Sequence, residues 1–368
     1  MDKFGFAGEK VSLSDVCTKA SSGFAQKDLE ELEGEYPVYG ASGYIKSINQ
    51  YHQEKEYIAV VKDGAGIGRT MILPAKSSII GTMQYLLPKE NILPRYLYYA
   101  VKNMHLEKYY TGATIPHIYF KDYQKEKFNL PDIYKQNEVV EVLEIIEKIT
   151  EKRNAQLNDL DTLIKARFVE MFGDPRFNEY NFEKKMLRDT CKVVTGNTPS
   201  RAVDEYYGDY IEWIKTDNIV SGQLTPTMAS ESLSEEGMQV GRTVDENAIL
   251  MACIAGSVAS IGRVCVTDRK VAFNQQINAI VPQEYNTLFL YTLLQISKDY
   301  LVEEINMALK GILSKSRLEE KTFIVPPMEL QDEFADFVTQ VDKLKVAVQE
   351  SLDELQTLFD SLMQQYFG

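Results

Sequence analysis

Polar and aromatic loop residues of the kinds that read base edges are the most suggestive chemistry in this 368-residue chain. In the first 131 residues, Tyr44, Lys46, Lys62, Arg69, Thr114, His117 and Lys121 fall on expected loops or loop borders. Further along come Asn197, Thr198, Ser200 and Arg201 in Thr195-Gly-Asn-Thr-Pro-Ser-Arg201, then Lys215 and Asn218 in Lys215-Thr-Asp-Asn218. Arg263, the run Asn274, Gln275 and Gln276, and then Lys310, Lys315 and Arg317 complete the set. Asn and Gln pair bidentately with adenine, and Arg or Lys with guanine, in the major groove. Ser, Thr, Lys and loop amides suit phosphate oxygens, which position without specifying. Each residue alone reads more readily as a solvated loop side chain than as a DNA contact. Together they make double-stranded DNA the candidate partner.

Catalytic constellations are missing from the sequence. Gly64-Ala-Gly-Ile-Gly68 imitates a dinucleotide loop, but a phosphate-cradling loop must open a helix, and Arg69 to Leu73 is strand-like with Pro74 after it. There is no GxxxxGK[ST] run and no Asn/Asp-Pro-Pro-aromatic tetrapeptide of an adenine methyltransferase. His52, His105 and His117 lie far apart, and Pro131-Asp132 has no nearby Glu-x-Lys to make a nuclease site. Cys17, Cys191, Cys253 and Cys265 show no CxxC pair and no zinc spacing, which suggests buried thiols in a reducing compartment. The expectation is a non-enzyme with no metal and no cofactor of its own. A degenerate methyltransferase with a hidden loop is a weaker alternative, and a scaffold that binds no DNA is another.

The net charge of −14 becomes informative when divided along the chain. Residues 1–131 carry +1, 132–173 carry −3, 174–326 carry −5 and 327–368 carry −7. The two most helical segments thus hold −10 of the total. Acidic helices repel phosphate, so DNA should meet the other segments, and weakly without help. No apolar run reaches the ~18 residues of a membrane span. The start lacks a basic region followed by an apolar core, which points to a cytoplasmic protein without a membrane partner.

The elements that must position these loops occur twice. Pro131 to Gly173 aligns without a gap on Pro326 to Gly368, with 10 identities in 43 positions, among them Gln136/Gln331, Leu157/Leu352, Leu160/Leu355 and Phe172/Phe367. Leu13, Asp15 and Cys17 find partners in Leu187, Asp189 and Cys191, and Gly66-Ile-Gly68-Arg69 in Ser260-Ile-Gly262-Arg263. About twenty extra residues fall between Arg201 and Asn247, an acidic, Ser-rich stretch that reads as a loop insertion. Val11 to Val16 alternates like an entering strand, and Thr18 to Gln26 reads as a polar loop. Tyr57 to Val61 is a strong strand, and Pro94 opens a helix with Leu97, Ala100, Val101 and Met104 on one face.

Both helical segments carry a 3-4 stripe. Leu157, Leu160 and Ile164 match Leu352, Leu355 and Phe359 as a coiled-coil seam. Roughly 35 helical residues would span about 50 Å. The fold class expected is α+β: two similar β-rich domains with helices, separated by two long helices forming an antiparallel coiled coil, as a pseudo-twofold internal repeat. The boundaries read 1–131, 132–173, 174–326 and 327–368. Deleting Leu352 to Gly368 should, on this reading, leave both globular domains folded.

Leu157-Asn-Asp-Leu-Asp-Thr-Leu-Ile-Lys-Ala-Arg-Phe-Val-Glu-Met-Phe-Gly-Asp-Pro175 resembles the central conserved region of specificity (S) subunits of type I restriction-modification systems. Thr195-Gly-Asn-Thr-Pro-Ser200, Tyr206-Tyr-Gly and Trp213-Ile-Lys-Thr216 resemble the opening of a target recognition domain in the same family. The resemblance covers the full chain and implies a non-catalytic subunit that reads a bipartite, asymmetric DNA site. It implies two methyltransferase subunits carrying S-adenosylmethionine, docked on the helices, and two ATP- and Mg-dependent restriction subunits. A modification-only or other defence-system specificity subunit fits the same residues. The partner is expected on the exposed acidic face of the helices.

Overall fold

The computed structural model describes residues 8–112, 115–303 and 311–368. Thr114 and Lys310 lie outside the described residues. The chain divides into two compact units, one built from the chain up to Arg153 with Glu350–Gly368, the other from Asn154–Gln349.

In the first unit, β1 (Glu9–Ser12) is followed by α1 (Leu13–Val16) and β2 (Cys17–Ser21). Next come β3 (Tyr36–Gly40), β4 (Gly43–Ile48), β5 (Tyr57–Val61), β6 (Thr70–Leu73), β7 (Ser78–Ile79) and β8 (Met83–Pro88). Then α2 (Pro94–Asn103), α3 (Phe120–Tyr123) and β9 (Lys127–Leu130) lead into α4 (Ile133–Phe172). The strands form a four-stranded sheet in the order β2-β8-β5-β6, a three-stranded sheet β4-β3-β7, and the pair β1-β9. Every residue of β5 is buried, as a central strand covered on both faces must be. The core on one side gathers Ile58, Val60 and Leu86 with the buried face of α2.

The second unit repeats this plan. β10 (Glu183–Met186), α5 (Leu187–Thr190) and β11 (Cys191–Thr195) come first. They are followed by β12 (Tyr207–Gly208), β13 (Ile211–Ile214), β14 (Ser232–Leu233), α6 (Glu235–Val240), β15 (Thr243–Val244) and β16 (Ile249–Ala252). β17 (Val264–Val266), β18 (Val271–Phe273), β19 (Ile277–Pro282), α7 (Thr287–Ile296), α8 (Lys298–Val302), α9 (Lys315–Glu320), β20 (Thr322–Val325) and α10 (Met328–Phe367) complete it. Register confirms the duplication. Cys17 pairs with Pro88 as Cys191 pairs with Pro282, and Val11 with Phe128 as Lys185 with Phe323.

Each unit contains parts of both long helices, running antiparallel. In the first, Val139 and Leu143 of α4 share a core with Met363 and Phe367 of α10. In the second, Phe168 and Phe172 of α4 meet Phe334 and Val338 of α10. There Asp161 pairs with Lys345, and Arg167 with Glu333, so positions fall along one helix as they rise along the other. The seam residues are the sheltered ones: Leu160 is buried, and Leu157, Ile164, Leu352, Leu355 and Phe359 are half-buried. Among the described residues, no helix is long and apolar enough to cross a membrane.

Four expectations differ from the structure. The strand over Val11–Val16 stops at Ser12, because Asp15 accepts from the Ser12 N–H at 2.8 Å and starts the helical turn of α1. The polar loop from Thr18 begins instead as strand β2, whose exposed side chains hide a backbone fully paired with β8. The insertion between Arg201 and Asn247 is not a loop. β14-β13-β18 there repeats the pairing of β4-β3-β7, and the stretch adds α6 and the edge strands β12 and β15, widening the sheet to β12-β14-β13-β18-β15. Nor can Leu352–Gly368 be removed from folded domains, since Met363 and Phe367 lie in the first unit's core.

A buried glutamine starts each long helix. Gln136 accepts from the Leu93 N–H, at 2.9 Å, and donates to Pro131 O at 2.9 Å. Gln331 accepts from the Asn286 N–H at 2.9 Å and donates to Pro326 O at 2.8 Å. Leu93 and Asn286 are the N-caps of α2 and α7. Replacement by leucine strands a buried donor and a buried acceptor, at about 1–3 kcal/mol each. Calorimetry of Gln136→Leu and Gln331→Leu should show a lowered transition in each case, and unchanged melting would contradict the assigned role.

Candidate nucleic-acid interface

In the first unit the turn after β5 and the segment before α3 carry most of the candidate residues. Gly68 N–H donates to Val61 O at 2.9 Å, and its φ of +83° is matched by +76° at Gly262, a backbone state that favours glycine in both copies. His117 Nδ1 lies 2.6 Å from Asp63 Oδ1, and Lys62 Nζ 3.7 Å from Asp63 Oδ2. The His117 ring stacks near Tyr119, over which Lys121 sits at 5.4 Å. The structure therefore brings Lys62, His117 and Lys121 together through Asp63 and Tyr119. Arg69 instead bonds Ala41 O at 2.9 Å, in the β3–β4 turn. Tyr44 stands exposed on β4 and contacts Ser47. Lys46 donates to Glu30 O at 3.1 Å.

The second unit uses its polar residues differently. Asn197 donates to Val240 O at 2.9 Å and accepts from the Arg242 N–H at 2.7 Å, so its amide pins one loop to another. Asn218 is buried and bonds Thr227, Met228 O and the Lys215 N–H. Asn274, also buried, closes a turn with Gln276. Thr198 donates to Gln275, Ser200 accepts from the Ala202 N–H, and Arg263 donates to Ser260 O. Arg201 and Lys215 converge on Glu231 and on the rings of Tyr207 and Trp213. Lys315 pairs with Glu319 on α9, where Arg317 is exposed. Sequence reasoning found the cations and missed Asp63, Tyr119 and Glu231, while Tyr207 was within a noted motif. Trp213, the chain's single tryptophan, was within a noted motif.

The paired segments show how far the two surfaces have diverged. In the first unit Asp63 and His117 form an isolated bridge, and in the second Ile254 and Ile312 do so. Ile118 N–H bonds Lys62 O where Leu313 N–H bonds Cys253 O, so the backbones correspond. One scaffold thus carries a titratable polar pair in one copy and an aliphatic pair in the other. All four cysteines are buried, and burial pushes the thiols of Cys17, Cys253 and Cys265 up to about 12 and that of Cys191 to about 11. Among the described residues, no group of His, Cys, Asp and Glu could hold a metal ion.

Two copies of one strand-and-helix scaffold, bearing different polar loops, define a duplicated recognition fold. The chain belongs to the type I restriction modification DNA specificity domain family, whose model matches residues 8–159 and 179–356. The HindI specificity subunit of Haemophilus influenzae is 30% identical over 145 residues, 39% of this chain and 30% of that relative's length. The MjaVIII specificity subunit of Methanocaldococcus jannaschii is 23% identical over 347 residues, covering 86% and 81%. The S subunit of a type I restriction-modification system from M. genitalium shares the fold over 100% of this chain and 98% of its own, with TM-score 0.62 and 14% identity. A chain from a structural study of type I R-M complex assembly gives TM-score 0.57 at 14% identity, covering 98% and 97%.

A polar cavity in the second unit marks a further difference between the copies. In the first unit Tyr99 OH donates to Glu147 at 2.7 Å, and Lys102 lies 3.3 Å from the same carboxylate. Counted from the caps Leu93 and Asn286, the equivalents of Tyr99 and Lys102 are Thr292 and Gln295, and Glu147 corresponds to Asp342. All three are shorter, and a cavity of about 380 Å³ opens among Asp342, Thr292, Gln295, Lys345, Asp161 and Arg263. Burial raises the Asp342 carboxyl, opposed by Lys345. A raised folded-state value means that stability falls as pH climbs from the ordinary 3.8 through the raised value. Asp342→Asn should therefore melt above wild type near neutral pH, with the gain shrinking as pH falls toward about 4. A melting temperature unchanged, or lowered, at neutral pH would contradict this.

Proposed function

We propose that this chain is the DNA sequence-specificity subunit of a type I restriction-modification complex. The recognition domains, 1–131 and 174–326, each read one half of a bipartite asymmetric site, and the helical segments, 132–173 and 327–368, set the spacer and hold the partners. The duplication with diverged surfaces carries the reading: equal backbones at Asp63–His117 and Ile254–Ile312 display unlike chemistry. Two half-sites of different sequence ask for that. The subunit contributes no catalytic group and works in the cytoplasm. Two methyltransferase subunits bring S-adenosylmethionine for adenine-N6 methylation, and two restriction subunits bring ATP- and Mg-dependent translocation and cleavage.

The helices support a twofold partner. Ile149 and Leu344 occupy equivalent positions, as do Leu163 and Leu358, and they are 38%, 56%, 47% and 48% exposed. A matched apolar residue left in water twice suits two copies of one protein partner. The expected docking face is thus apolar as well as acidic. Ile149→Asp or Leu344→Asp alone should leave one methyltransferase subunit bound by native mass spectrometry, and the double variant none. Retention of two subunits by the double variant would remove this face from the proposal.

The net charge of −14 further implies that the lone chain binds DNA weakly. Binding should become tight once methyltransferase subunits join. Tight, salt-sensitive, sequence-specific binding by the isolated chain in a titration would falsify that.

A further inference from the structure

Glu231 sits between the two cations that the second recognition domain would turn toward DNA. One carboxylate oxygen lies 2.6 Å from the Arg201 guanidinium, and the other accepts from Lys215 Nζ. Arg201 is 4.3 Å from the Tyr207 ring centroid and 5.2 Å from that of Trp213, and Lys215 is 5.2 Å from the Trp213 ring. The two rings and the carboxylate thus hold the same two cations. Tyr207 and Trp213 are themselves anchored, by bonds to Pro199 O and Asn197 O. An oxyanion with two oxygens to offer is the ligand this fork fits.

The electrostatics of the surrounding stretch make the arrangement consequential. Between Arg201 and Asn247 there are ten acidic and three basic residues, a net of −7. Glu231 occupies two of those three bases, leaving Arg242. Phosphate binding needs free cations, so Arg201 and Lys215 are not available as a pair until Glu231 yields. It can yield readily. Side-chain exposures of 56% for Arg201, 36% for Glu231 and 26% for Lys215 leave both ion pairs in reach of water, where such contacts are weak. The Glu231 backbone carbonyl accepts from the Trp213 N–H at 3.0 Å, so only the side chain need swing.

We propose that Glu231 is an internal surrogate for a DNA phosphate: it fills the seat of one backbone phosphate at the second half-site and leaves when DNA arrives. The assignment rests on the reading of the chain as a DNA specificity subunit. Until then the carboxylate keeps Arg201 and Lys215 aligned and suppresses non-specific capture. Its removal should strengthen phosphate binding without improving sequence discrimination, because phosphate contacts carry no sequence information.

The test uses the complex reconstituted with its methyltransferase subunits and two duplexes, one containing the methylated motif and one lacking it. Glu231→Gln should tighten binding to both by about 3- to 10-fold at low salt. The slope of log K against log salt should steepen by about 1 to 2, as up to two cations reach phosphates at ~0.9 each. The gain should vanish in an Arg201→Gln/Lys215→Gln background, which by itself should bind more weakly than wild type. If Glu231→Gln weakens binding or leaves it unchanged while wild type binds its motif, the surrogate role is overturned and the subunit reading stands. A wild-type complex that binds neither duplex overturns the subunit reading itself.

Discussion

A buried amide at the first turn of each long helix organises the rest of this structure. Gln136 and Gln331 each hold the N-cap of a helix of their own domain, α2 or α7, and the carbonyl of the proline that follows β9 or β20. A buried amide side chain must satisfy its donors and acceptor locally. That requirement fixes helix, strand and cap in one arrangement, so each long helix begins as part of its domain. The opposite helix ends are fixed by burial, with Phe367 against Tyr96 and Phe172 against Phe289 and Phe334. Sequence identity at Gln136/Gln331 and Phe172/Phe367 marks these two devices, and much of the remaining sequence has drifted around them.

The scaffold was readable because its signals are local or periodic. The helix over Pro94–Asn103, the strand Tyr57–Val61 and the 3-4 stripe each follow from spacing alone. So does the correspondence of Cys17 with Cys191, which register places opposite Pro88 and Pro282. The misreadings have physical causes. Val11–Val16 alternates like a strand, yet a Ser-x-x-Asp pair turns it at Ser12. The acidic stretch after Arg201 looks like loop because its strands β12, β14 and β15 are two residues long, with only Leu233 and Val244 buried in them. The C-terminal helix reads as an appendage because its seam does not reveal that Met363 and Phe367 belong to a core built from residues far earlier in the chain.

The candidate interface was legible only in part. Residue type singles out polar groups able to meet a base or phosphate, but not which of them the fold has already used. Asn197, Asn218 and Asn274 are engaged within the second unit, and Lys215 is held by a carboxylate sixteen positions away. Asp63 reaches His117 across 54 positions. Such pairings depend on sheet order, which periodicity does not encode. They also explain how an acidic protein can carry basic loops without broadcasting their charge: salt bridges balance many of the cations within the free chain.

In the proposed function, each half of the duplication specifies its own half of one DNA site. Mapping methylated adenines across the genome of cells carrying the cognate methyltransferase, with the native gene or with residues 174–326 replaced by those of a relative, measures it most directly. The native gene should produce a bipartite motif. The exchange should change one half of that motif and leave the other half intact. Loss or gain of both halves together, or a methylome indifferent to the gene, would contradict the account.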